Sequence, residues 1–180
     1  MRNLQARTVW AGWTGWTWAC LALVALLASG VAGCGVYSPY GAQTSGASTF
    51  SVTDFEPAHP LVSATSAQSL SEALRDRVQR QSTLRLVPEG DLKFEARVVG
   101  WEVRPINVQG DETAGANRIS VSVVLVYTNT LDPSLSMERT FSRYVDLPST
   151  QDVFAAEEAL VEELGELLSQ DMFNATLGNW

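Results

Sequence analysis

Ile119, Val121, Val123, Leu125 and Tyr127 place five apolar side chains at every second position, the strictest pattern in a chain of 180 residues. A β-strand sends successive side chains to opposite faces, so this segment fits a sheet with one buried face and does not fit a helix. Ser120, Ser122 and Thr128 share the second face with Val124 and Val126, which leaves that side only half polar. Leu92–Val103 alternates in the same way, with Leu92, Phe94, Ala96 and Val98 on one face and Lys93, Glu95 and Arg97 opposite. Gly110–Gly115 reads as the loop between these strands.

The other elements follow from period and punctuation. Thr49–Phe55 alternates weakly, with Phe50 and Val52 on one side, and Pro57 and Pro60 then break the chain. Ser66–Gln81 has helical spacing: Leu70, Ala73, Leu74 and Val78 form a stripe, with Glu72, Arg75, Asp76 and Arg80 over much of the remainder. Ser66 or Ser69 can cap it, and Ser69 with Glu72 makes the better capping box. Leu84–Val87 is a short β-prone run before the turn Pro88-Glu89-Gly90-Asp91, and Met137–Val145 is a strand beyond the turn at Asp132-Pro133. Gln151–Leu177 predicts an amphipathic helix whose stripe is Leu160, Leu164, Leu167, Leu168 and Met172, with Glu157, Glu158, Glu162, Glu163 and Glu166 outside. The order β-α-β-β-β-β-α predicts one α+β domain. Its sheet is four- to five-stranded and mainly antiparallel, or mixed, with both helices packed on one face. The second sheet face then meets solvent or a partner.

The N-terminus reads as an export signal: Arg2 and Arg7, an apolar run from Trp18 to Leu27, then small residues to Gly33. Val31-Ala32-Gly33-Cys34 has the form of a lipobox, in which a diacylglycerol is attached to the cysteine and the chain is cut before it. An uncleaved span from Val9 to Val31 and modification at Cys20 are the alternatives; Thr17-Trp18-Ala19 fits the pattern less well than Val31-Ala32-Gly33. The predicted division is a lipoprotein signal peptide at 1–33, a flexible Gly/Ser-rich tether at 34–48 and a domain at 49–180. Cutting before Cys34 removes Cys20 and the four leader tryptophans, and leaves no free thiol.

Charge and composition narrow the function. Arg2 and Arg7 are the only charged side chains before Cys34, so the rest carries ten basic and all twenty acidic side chains, a balance of −10. That balance argues against nucleic acid as a partner and against charge-driven attachment to an anionic membrane. His59 is the sole histidine, in a loop with no aspartate at a suggestive spacing, and a His-rich metal site is excluded. The paired glutamates 157–158 and 162–163 fit a solvated helix face better than an acid/base pair or a metal site. Neither a phosphate-cradling glycine loop nor a nucleophile elbow is present. The expectation is a non-enzymatic binding protein with no cofactor beyond lipid on Cys34.

Several segments in order carry a resemblance: CGVYS (34–38), HPLVSATSAQSLSEALRDR (59–77), GDLKFEARVVGW (90–101), GDETAGANRISVSV (110–123), YTNTLDP (127–133), FSRYVD (141–146) and the terminal NW (179–180). Together they resemble the LptE family of lipopolysaccharide-assembly lipoproteins, in its Bacteroidetes-type form. Gly115-Ala116 departs from that pattern, where a larger apolar residue is expected. The resemblance implies two helices against a sheet, and a lipid-anchored outer-membrane protein that plugs an LptD-like β-barrel, assists its assembly and binds lipopolysaccharide in transit. An escort or scaffold for a secretion pore or another envelope complex is the alternative. Arg104 and Arg118 flank the loop from Pro105 to Asn117 and meet if the strands pair as a hairpin, which makes them candidates for lipopolysaccharide phosphate. Their plainer reading is as strand-end charges paired with Asp111 or Glu112. Arg143 is read as a cross-strand ion pair.

Overall fold

The computed structural model describes residues 42–107 and 115–178, all within a compact unit that runs from Tyr40 to Trp180. The proposed signal peptide, Cys34 and Cys20 lie outside the described residues, as do Asp111 and Glu112.

The elements are β1 (Thr49–Val52), β2 (Glu56–Pro57), α1 (Ala64–Gln81), β3 (Arg85–Leu86), β4 (Leu92–Asn107), β5 (Gly115–Asn129), a 3-10 turn (Pro133–Leu135), β6 (Met137–Pro148) and α2 (Glu157–Thr176). The sheet order is β3-β1-β4-β5-β6, with β2 alongside β4. β4, β5 and β6 form an antiparallel meander, while β1 runs parallel to both β3 and β4. The sheet is therefore mixed and the fold α+β. Pro57, read from sequence as a break, ends the two-residue β2 beside Val98. Proline lacks a ladder donor, and it is tolerated where a strand stops.

The alternating pattern sets the layers. In β5 every odd residue from Ile119 to Asn129 is buried and the even residues stay partly or fully exposed. The even face is open, and both helices cover the odd face. Phe50, Phe94, Leu125, Leu164 and Met172 are among the side chains fully enclosed there. Phe50 meets Phe94 edge-on at 6.4 Å, and Phe94 lies 5.1 Å from Tyr127. Aromatic pairs prefer such edge and tilted contacts because ring edges are positive and ring faces negative. Between Val98 and Gly100 the β4–β5 register slips by one, and the extra residue, Val99, is 38% exposed. A bulge lets the long hairpin bend while its apolar residues keep to one side.

Three sequence expectations shift. α1 starts at Ala64, before Ser66 and Ser69, because Ser63 is in the extended conformation and its hydroxyl accepts the Ser66 N–H at 3.0 Å. α2 starts at Glu157 instead of Gln151; the Asp152 side chain accepts the Ala155 N–H at 3.0 Å and holds a turn there instead. Leu167 is 37% exposed and leaves the predicted stripe. The buried face of α2 consists of two columns spaced by four, Leu160-Leu164-Leu168-Met172 and Val161-Gly165-Ser169-Phe173. These are the i±4 ridges that pack into a neighbouring helix and sheet, and Leu167 belongs to neither. An alanine-sized side chain at Gly165 would approach Ala73 Cβ to 3.2 Å, so this glycine sets how closely α1 and α2 approach.

Ala42–Ser48, placed in the tether by composition, is fastened to the domain. Ala42 bridges Gly178, the Gln43 N–H donates to the Leu177 carbonyl at 2.7 Å, and Ala47 is buried. Asp91 completes the attachment. One of its oxygens accepts from the N–H groups of Ser48 (3.2 Å) and Thr49 (3.1 Å) and from the Thr49 hydroxyl (2.7 Å).

Candidate functional site

The β4–β5 ladder pairs Arg104 directly with Arg118. Directly opposed residues share one face with Cβ atoms about 5 Å apart, so the two candidate cations are neighbours on the open face. Two like charges placed this way repel, and each is met by a carboxylate on the same face. Arg104 reaches Glu102, two residues back along its own strand, at 2.9 Å. Arg118 reaches Asp146, its ladder partner on β6, with Nε donating to Oδ1 at 2.7 Å and Nη2 to Oδ2 at 2.8 Å. The plane of Arg118 lies over the Tyr144 ring, 3.8 Å from its centroid, a cation–π contact that fixes its orientation. The hydrogen bond from Arg118 holds the Asp146 carboxyl below the usual carboxylate range. The same bond raises the Arg118 guanidinium further above neutrality.

The two arginines are thus brought together as the hairpin reading requires, but they differ in freedom. Arg104 is 72% exposed and, among the described residues, pairs with Glu102, whereas Arg118 is 36% exposed, forked by a carboxylate and stacked on a ring. Tyr144, Asp146 and Glu102 complete the cluster and were not singled out by the sequence reading. The available signal was parity: Tyr144 and Asp146 lie two apart in FSRYVD, out of phase with the core residues Phe141 and Leu147.

The other singled-out residues fall elsewhere. Arg143 is on the helix-covered face and pairs with Asp171 of α2, Nη2 to Oδ1 at 2.7 Å and Nε to Oδ2 at 2.5 Å. That is a strand-to-helix clamp, not the cross-strand pair expected. His59 accepts the Leu61 N–H on Nδ1 at 3.3 Å, a local turn contact. Glu157 accepts from the Ser66 hydroxyl at 2.7 Å, while Glu158, Glu162 and Glu163 line an open acidic groove between α1 and α2. Among the described residues, no group of three or more His, Cys, Asp or Glu is placed to hold a metal ion, and no helix is long and apolar enough to cross a membrane.

The site is remote from the point where the chain enters the domain. β1 pairs with the opposite end of β4, at Leu92, and twelve residues at about 3.3 Å each put Arg104 roughly 40 Å further along the sheet.

Comparison with known proteins locates this architecture. No curated protein matches the sequence. Solved structures of similar arrangement include a minor lipoprotein from Acinetobacter baumannii (13% identity, TM-score 0.46, covering 71% of this chain and 90% of that one). Others are PelC, a dodecamer from Paraburkholderia phytofirmans (10%, 0.39, 68% and 87%), and lipoprotein GNA1162 from Neisseria meningitidis (8%, 0.37, 68% and 99%). At these identities and scores the likenesses carry no functional weight. The family model described as LptE, lipopolysaccharide-assembly, matches residues 47–176, which takes in all of the described strands and both described helices. The chain belongs to the LptE lipopolysaccharide-assembly family.

Proposed function

We propose that this chain is an outer-membrane lipoprotein, acylated on Cys34, that seats in an LptD-like β-barrel, assists its assembly and binds lipopolysaccharide through its phosphates. The family match over residues 47–176 carries the reading. The arginine pair supplies the chemistry: a guanidinium presents paired N–H donors to phosphate oxygens, and Arg104 stands largely free of the surface. The work is binding, with no bond made or broken. Lipid on Cys34 supplies the membrane attachment that a −10 charge balance cannot. From Cys34 to Ala42 the chain can stretch about 28 Å, so the domain entrance stays near the leaflet while the arginine pair sits at the other end of the sheet.

The test is capture on a C-terminal tag after gentle detergent extraction. Recovery of a large LptD-type barrel is the expected result. Recovery of a secretin ring would favour the escort reading, and a lone monomer would reject the barrel partner. Arg104→Glu combined with Arg118→Glu is expected to weaken lipopolysaccharide binding with the domain still folded. Unchanged binding would remove both residues from the site.

A further inference from the structure

We propose that Glu102 and Asp146 hold the arginine pair in a self-neutralised state, so that a ligand phosphate enters by exchange with a carboxylate and leaves by the reverse exchange. The proposal rests on the reading that this pair meets lipopolysaccharide phosphate, and adds how tightly and how reversibly it does so.

Geometry carries the inference. Arg104, Arg118, Glu102 and Asp146 lie on one face of three adjacent strands, and their formal charges sum to zero. Asp146 takes the Nε and Nη2 side of Arg118 with both oxygens, the same two-pronged surface a phosphate would take. The Tyr144 ring covers one flat side of that guanidinium. An anion arriving at Arg118 therefore meets Nη1 and the outer hydrogen of Nη2, beside a carboxylate of its own sign. At Arg104 it meets a cation paired with Glu102 at 2.9 Å. Engagement of the Nε–Nη2 fork of Arg118 requires Asp146 to swing into water, and engagement of Nη2 of Arg104 requires Glu102 to do so. Glu102 is 55% exposed and Asp146 37%, so both have room to do so. The lowered Asp146 and raised Arg118 ionisation keep both groups charged near neutrality, and the exchange moves no proton. Such a cluster binds phosphate less tightly than two bare arginines. It also re-forms its own ion pairs when the phosphate departs, so release leaves no cation unpartnered. That is the behaviour a transit protein needs.

The experiment compares the full chain in detergent with Asp146→Asn, Glu102→Gln, Arg104→Gln and Arg118→Gln, using lipopolysaccharide micelles as the probe. Dephosphorylated lipopolysaccharide and competition by inorganic phosphate separate a headgroup phosphate from a free one. Removing one unit charge about 6 Å from the phosphate in a water-like medium is worth roughly threefold in affinity. Asp146→Asn and Glu102→Gln are each expected to tighten binding by about that factor, mainly through slower dissociation. The gain should fade at high salt and vanish with the dephosphorylated probe, and Arg104→Gln and Arg118→Gln should weaken binding. Unchanged or weaker binding by both carboxylate variants, with the arginine variants still impaired, overturns the exchange proposal and leaves the phosphate reading standing. If none of the four moves affinity, both fall. Tighter binding that persists with dephosphorylated probe, or at high salt, also overturns the proposal, because a non-electrostatic surface change would then be responsible. A melting temperature on each variant confirms that folded proteins are compared.

Discussion

Arg77 offers a direct test of what locks the helical layer together. It is 5% exposed and on the inner face of α1, where the spacing of Leu70, Leu74 and Val78 calls for an apolar residue. Its guanidinium reaches α2 at four places. Nε donates to the Ser169 hydroxyl at 3.3 Å and Nη2 to the Glu166 carbonyl at 3.1 Å; Nη1 donates to the Gln170 side chain and Nη2 pairs with the Glu166 carboxylate. The Glu166 carboxylate is 61% exposed, so water can replace its share. The Ser169 hydroxyl and the Glu166 carbonyl face the helix interface and lose a charged donor outright. Charge-assisted hydrogen bonds contribute about 1.5–3 kcal/mol each, and part of that is returned because a buried guanidinium no longer has to be desolvated. Arg77→Met, which keeps the apolar stem, is therefore expected to cost about 2–3 kcal/mol, and Glu166→Gln less than about 1 kcal/mol. Urea unfolding followed by circular dichroism measures both as midpoint shifts at constant slope. Equal losses for the two variants would refute the reasoning, because the exposed ion pair would then be the main contact. A neutral Arg77→Met would refute the lock itself.

Gly90→Ala should destabilise by about 1–3 kcal/mol, because the added Cβ would lie 2.4 Å from the Phe50 carbonyl carbon and push β1 off β4; an unchanged urea midpoint would show that β1 can move at no cost. The Thr49 hydroxyl and then the Ser48 N–H are the leading causes that hold the Asp91 carboxyl below the usual carboxylate range. Its stabilising contribution is full above the ordinary carboxylate value near 4, and is lost as pH falls from there through the lower folded value, because the unfolded chain takes up its proton first. Unfolding midpoints from pH 7 to pH 3 should therefore fall less steeply on the acid side in Asp91→Asn, and parallel curves would count against the linkage. Cys34→Ser should abolish labelling by fed palmitate and release the protein from the membrane fraction; continued labelling would place the lipid elsewhere.

Much of the candidate site is legible in the sequence. Period two assigned the faces of β4 and β5, because in a strand the direction of each side chain depends on its own position alone. Once the hairpin forms, Arg104 and Arg118 must sit together. The partners of those arginines were less accessible. Asp111 and Glu112, the partners expected from sequence, lie outside the described residues; the described carboxylates that engage the pair are Glu102, two residues back, and Asp146, 28 residues on from Arg118. Arg143 shows the same limit: its parity gave a face, and only the placement of α2 over that face supplied Asp171.

The amino-acid order thus determined what depends on local geometry: two helices, the long alternating strands and one buried sheet face. It also supplied an acidic balance of twenty Asp and Glu against twelve Lys and Arg. Tertiary structure decided what depends on which elements become neighbours. It inserted β1 parallel between β3 and β4, which no periodicity encodes because pairing order is a property of the whole sheet. It turned Leu167 outward by packing α2 through ridges spaced by four. It also buried Arg77, since a charge can occupy an apolar position when a second helix brings acceptors to its tip. The open face shows the same division: its arginines are written in the hairpin, and their neutralising carboxylates are supplied by strand geometry and by the neighbouring strand.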